Sequence, residues 1–173
     1  MQNTAVGQQF RIVSCGGTSK EALLHRLRDS GVKLNDLALS LFADGRFTAS
    51  PVPAEVQVLE VSVASLGFPA GATFGPLVEG AAAAGLGLCP LELAPHLRLA
   101  LLDQPEGANR HPSTQGCAPH GSITVASAPL DSSEEVPKGF YLRRIEGTLW
   151  LRGYRSWSGH QWSPGDVLAF IRS

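Results

Sequence analysis

Charge is scarce in this sequence: 17% of its 173 residues are Asp, Glu, Lys or Arg, and they nearly cancel to a net −1. The global field that gathers nucleic acid or an anionic surface is therefore missing. Cysteine is scarce too. Cys15, Cys89 and Cys117 make an odd count without framework spacing, which fits a reducing cytoplasm better than a disulfide scaffold. No apolar run approaches the roughly 20 residues of a membrane span. The opening MQNTAVGQQF lacks the apolar segment of a signal peptide, although Ile12-Val13-Ser14-Cys15 is spelled like a lipoprotein cleavage site. A soluble cytoplasmic protein is expected. Phosphate-loop spacing is absent, because Gly16-Gly17-Thr18-Ser19-Lys20 does not match G-x-x-x-x-G-K-[ST]. Paired carboxylates for glycoside or phosphate chemistry are not visible either; Glu134-Glu135 lies in a polar loop and reads as a solvated face. No cofactor is expected.

Phe140–Tyr154, FYLRRIEGTLWLRGY, organises what remains. Two runs of Leu, aromatic and β-branched residues flank Glu146-Gly147, the spacing of a two-residue hairpin turn. Alternation then puts Phe140, Leu142, Leu149 and Leu151 on one face, a core face. Tyr141, Arg143, Trp150, Arg152 and Tyr154 share the other, where rings and guanidinium groups suit stacking and anion binding. Two readings of that second face stand open. Either another part of the chain covers it, with arginine stems packing and heads reaching water, or it lines a ligand or partner site. Charge is uneven in its favour. Residues 1–137 hold 8 basic and 13 acidic side chains, hence −5, whereas residues 138–173 hold 6 and 2, hence +4.

Earlier in the chain, Thr18-Ser19-Lys20-Glu21 spells a capping box before a short helix, and Asn35 caps a second. An αα-hairpin packed on a sheet is favoured over a DNA-binding helix-turn-helix, since the second helix has almost no basic or amide side chains. Ala49–Ala54, with Pro51 and Pro53, marks the best internal boundary. Glu55–Val63 reads as a strand with a bulge at Val58-Leu59, and Thr73 as the cap of a helix over 74–84. Pro90–Ala94 reads as one helical turn, and Leu97–Leu102, Ser122–Ala126 and Val167–Ile171 as strands. The expected class is α+β, with N-terminal short helices packed on a mostly antiparallel C-terminal β-sheet or small, partly open barrel. Residues 1–50 would form a helical hairpin subdomain and 51–173 an α+β domain, with one continuous domain over 1–173 as the alternative.

The runs GLGLCPLELAPHLRLALLDQPEG, GSITVASAPL and PKGFYLRRIEGTLWLRGY resemble a family of small uncharacterised bacterial proteins, some of which carry the label helicase. The resemblance extends from the SKEALLHRLRDSGVKLND helices to the end of the sequence. It supplies no catalytic residue, and no phosphate loop or pair of motor domains supports the label.

Three chemistries remain to be weighed. His111, Cys117 and His120 share the long loop 103–121, with Cys89 and His96 as further candidates, but H-x₅-C-x₂-H matches no structural zinc spacing, so a polar loop is favoured over a metal. Cys89 before Pro90 at a helix start, with His96 as base, has the outline of an activated thiol; flanking Leu86, Leu88 and Leu91 favour a core cysteine instead. Trp150, Trp157 and Trp162 with His160 suit either a stacking platform or the plug of a barrel end. The leading expectation is a non-catalytic cytoplasmic binding or interaction protein. Its site would comprise Tyr141, Arg143, Trp150, Arg152, Tyr154, Arg155, Trp157 and Trp162, and it would take a small anionic or planar aromatic ligand or an acidic protein surface. Two alternatives stand beside it. One is a small, metal-dependent enzyme at the 103–121 loop. The other is a single-stranded nucleic-acid module, disfavoured by the charge balance. No membrane partner is expected.

Overall fold

A computed structural model describes residues 9–107 and 118–173. In chain order its elements are β1 Gln9–Cys15, α1 Lys20–Asp29, β2 Lys33–Leu34, α2 Asp36–Ala43, β3 Ala54–Ser62, a 3-10 turn Ala64–Leu66, α3 Phe74–Ala83, β4 Leu86–Gly87, α4 Leu93–Ala100, β5 Ile123–Val125, β6 Gly139–Ile145, β7 Thr148–Tyr154 and β8 Val167–Arg172. Among the described residues the strands form one 8-stranded sheet in the order β1-β3-β8-β5-β6-β7-β2, with β4 on β8. Two pairs are parallel, β5 with β8 and β2 with β7, and the rest are antiparallel. The α+β class holds, although α3 and α4 lie in the middle of the chain and β1 and β3 bring its first half into the sheet.

Short-range chemistry sets the first helices. Ser19, one residue beyond the expected Thr18, caps α1 by accepting the Ala22 N–H at 3.2 Å. Asn35 Oδ1 caps α2 at Ala38 N, 3.0 Å away. The same side chain also reads the sheet: Gly153 N donates to its Oδ1 at 2.8 Å, and its Nδ2 donates to Gly153 O at 3.0 Å. Gly153 must be glycine here, since a Cβ would lie 2.6 Å from the Leu37 carbonyl carbon. That close approach seats α2 on β7.

The sheet has a core on each face. On one, α1, α2 and α4 pack Leu23, Leu27, Ala38, Leu41, Phe42, Leu93 and Leu97 against Val13, Val58, Phe140, Leu142 and Leu151. On the other, α3 packs Leu77 and Ala81 against Val61, Leu168, Phe170 and Trp162. This corrects the bulge expected at Val58-Leu59. The β1 and β8 registers run through both residues without interruption. Val58 and Leu59 are both apolar because each serves a different core, as strands covered on both sides do.

A second correction concerns Leu97–Leu102. It is not a strand: Leu97–Ala100 forms the second half of α4, Leu93–Ala100, and Leu101 caps it. The helix is buried nearly all round, Pro95, His96 and Arg98 included, and its alternating Leu97, Leu99 and Leu101 imitate a strand. Pro95 sits in the first turn, where its missing N–H costs nothing. Arg98 is wholly buried; it donates to Gln104 Oε1 at 2.5 Å, to the Trp150 carbonyl at 3.3 Å and to the Leu101 carbonyl. Burial, with Arg144 nearby, pulls its guanidinium down to about 10.

Candidate functional site

The hairpin register is Ile145↔Thr148, Arg143↔Trp150 and Tyr141↔Arg152, as the sequence implies. Both turn residues take positive φ, 47° at Glu146 and 77° at Gly147, the backbone of a type I′ turn. Glu146 holds a conformation uncommon for a side-chain-bearing residue. The Glu106 carboxylate secures it by accepting the N–H of Glu146 and, at 3.2 Å, that of Gly147.

Phe140, Leu142 and Leu151 are buried beneath the helices on the first core's side. Tyr141, Arg143, Trp150, Arg152 and Tyr154 lie on the opposite side of the sheet, away from α1, α2 and α4, and each is half-buried. They form a continuous ladder. Lys33 Nζ stands 5.9 Å from the Trp150 ring centre, and the Arg152 guanidinium 4.9 Å from it. Arg152 Nε donates to the Tyr141 hydroxyl at 2.9 Å. Ring contacts then pass from Tyr141 to Tyr154, to Trp162, to His160 and to Trp157, at 5.0–6.4 Å between neighbouring centres. Arg143 is the exception: its Nε is buried without a hydrogen-bond partner.

At the strand-end of this ladder the three tryptophans separate in role. Trp162 is 4% exposed and bridges backbone to backbone with Ala72, so it plugs the second core. Trp157 is 55% exposed and forms one wall of a cleft of about 240 Å³, with Phe74, Tyr154 and Trp162 as the other aromatic surfaces. Ser127, Ser132, Ser156 and Ser158 supply hydroxyls around it, and Lys138 supplies its one charged lining residue. Lys138 Nζ donates to the carbonyls of Asp131 at 2.9 Å and Ser133 at 2.7 Å, which leaves the third ammonium proton for a ligand. Ser127 Oγ is buried without a partner. A Cβ on Gly139 would fall 3.0 Å from that oxygen and 3.7 Å from the Tyr154 hydroxyl, so the two hydroxyls flank one floor. Burial raises the Tyr154 phenol and holds the His160 imidazole below its ordinary value. A second cleft, of about 260 Å³, is walled by Arg11, Glu60 and Asp103, but Arg11 and Glu60 satisfy each other at 3.1 Å.

The other expected residues are scattered. Arg155 is exposed and donates to the Glu135 carbonyl at 3.0 Å. His111 and Cys117 lie outside the described residues. Cys89 has none of the features of an activated thiol. It lies three residues before Glu92, the cap position of α4, donates to the Ala169 carbonyl at 3.3 Å, and is pushed by burial up to about 12. His96 does not serve it; its Nε2 accepts the Gly16 N–H at 3.2 Å. Sequence reasoning missed Phe74, Ser127 and Lys138, which reach the cleft from three separate segments and carry no motif. The fold and cleft thus define an α+β protein with an aromatic, singly cationic recess beside a sheet. No family model, curated protein or solved structure matches the chain.

Proposed function

We propose that this chain is a non-catalytic binding protein for a small planar anion, held in the recess between Trp157 and the ends of β6 and β7. The ring of the ligand stacks on Trp157 and meets the edges of Tyr154 and Phe74. Its anionic group takes the third proton of Lys138 and the hydroxyl of Ser127. The observation that carries this reading is the coincidence of one cation with spare valence and one buried, unpartnered hydroxyl in an otherwise aromatic cleft. Ligand pockets have this composition: mostly apolar walls and a few convergent polar groups. Arginines of the ladder extend the same positive strip toward the turn, where Arg143 stands about 13 Å along β6 from Gly139 by strand rise.

Calorimetric titration with indole-3-carboxylate, beside its uncharged methyl ester, tests the proposal. The acid should bind and the ester should bind at least about tenfold more weakly, the worth of a single charge-assisted hydrogen bond. Trp157→Ala and Lys138→Gln should each weaken the acid by a similar factor. The melting temperature should stay within about 2 °C for the exposed Trp157, and Lys138→Gln should lower it by a few degrees through its two lost carbonyl contacts. Equal affinity for acid and ester, or binding untouched by both substitutions, would contradict the assignment.

A further inference from the structure

A separate constellation lies across the sheet, in the first core. Cys15 ends β1, Glu92 occupies the cap position of α4, and His96 follows on the next turn of that helix. One ligand atom from each of the three falls within 4.8 Å of the other two, and all three residues are buried. The backbone fixes them. Gly16 takes φ 88°, and a Cβ there would lie 2.4 Å from the Val52 carbonyl oxygen, so the chain after Cys15 and the Ser50–Pro53 segment meet at backbone contact. Ser50 N donates to Glu92 Oε2 at 3.0 Å, and Gly16 N donates to His96 Nε2 at 3.2 Å. The imidazole therefore presents an unprotonated Nε2 to the Gly16 N–H, next in sequence to Cys15.

What this cluster lacks is a cation paired with its carboxylate. Arg26 is near enough to His96 to disfavour its protonation, yet no ion pair reaches Glu92 among the described residues. A carboxylate buried without a cation is costly. A divalent ion bound by one carboxylate, one thiolate and one neutral imidazole makes the group electrically neutral. We infer that Cys15, Glu92 and His96 form a structural zinc site that ties the end of β1 and the Ser50 segment to the start of α4. Thiolate and imidazole select zinc over magnesium or calcium. At ordinary zinc–ligand lengths a tetrahedral ion separates its ligand atoms by about 3.5 Å, so the three side chains need close by no more than about an ångström on binding. The Gly16 N–H then yields its acceptor to the metal. Cys89 keeps its S–H on Ala169 and stays outside the set.

Cobalt is the probe. The full chain, stripped with chelator and titrated with Co²⁺ alone, should take up one ion and develop thiolate-to-cobalt charge-transfer absorption, which one equivalent of Zn²⁺ should abolish. Cys89→Ser should leave that spectrum unchanged. Cys15→Ser should remove the charge-transfer band, and the isosteric Glu92→Gln should weaken Co²⁺ binding at least about tenfold, as disturbing a metal's ligand sphere does. Where Cys15→Ser folds poorly, a band kept by Cys89→Ser and Cys117→Ser assigns the thiolate to Cys15. No stoichiometric Co²⁺ uptake, or a band that survives Cys15→Ser and disappears in Cys89→Ser or His120→Ala, would overturn the assignment.

Discussion

Arg143 carries a buried Nε with no acceptor, and Ser127 a buried hydroxyl with no partner. Each such group is a standing cost of about 1–3 kcal/mol, which an apolar replacement of similar length relieves. Arg143→Met is therefore expected to leave unfolding free energy unchanged or raise it by about 1 kcal/mol, measured by urea denaturation. Arg98→Leu should do the reverse. Gln104 Oε1 would lose its donor in the core, while the Leu101 carbonyl would keep only the Gln104 N–H at 3.2 Å, and the loss should be about 1–3 kcal/mol. His160 gives a pH test. It sits edge-on between Trp157 and Trp162, 5.2 and 5.0 Å away, and burial lowers its pKa, against an opposing pull from Asp166. A tryptophan fluorescence titration should place its midpoint below 6.5. A higher midpoint would mean that the rings attract the imidazolium more than burial repels it. The unfolded chain takes up this proton first, so stability should fall as pH drops through 6.5 toward the folded value. His96 is shifted in the same direction, so the His160 share is the part of the slope that His160→Gln removes.

Between elements, the contact that seats α2 on β7 rests on Asn35 and Gly153. Asn35→Ala deletes a helix cap and both hydrogen bonds to the strand, and should cost about 2–3 kcal/mol in denaturant unfolding. Gly153→Ala drives a methyl into the Leu37–Ala38 backbone and should be worse still, because neither side is a flexible side chain. The element scale also separates what was legible from what was not. The hairpin was legible because its information is local: two alternating runs and a two-residue turn fix register without reference to the rest of the chain. Asn35 was legible as a cap three residues from Ala38, but its second role, 118 residues away at Gly153, has no sequence signature. α4 was not legible as a helix because Leu97, Leu99 and Leu101 alternate as a strand would, and Pro95 interrupts the run.

At the scale of the molecule, a sheet with a core on each face explains why neighbouring residues such as Val58 and Leu59 in β3, or Leu168, Ala169 and Phe170 in β8, are all apolar. It also puts the hairpin's rings and guanidinium groups opposite the early helices. That separation followed from the alternation in FYLRRIEGTLWLRGY, whereas the floor and rim of the cleft did not. Phe74 arrives on α3, Ser127 after β5 and Lys138 before β6, and only the folded sheet brings them to Trp157. The Cys15–Glu92–His96 cluster is hidden for the same reason: its members come from the end of β1 and the start of α4. Gly139→Ala joins the scales. It presses a methyl against Ser127 Oγ and Tyr154 at the cleft floor, and should weaken ligand binding more than stability.

The most direct measurement is an amide chemical-shift titration of the full chain with indole-3-carboxylate. Saturable shifts should gather at Ser127, Lys138, Tyr154, Trp157 and the Trp162 indole N–H, on one side of the sheet. Shifts confined to the first core, or none at millimolar acid, would contradict a binding recess beside the hairpin.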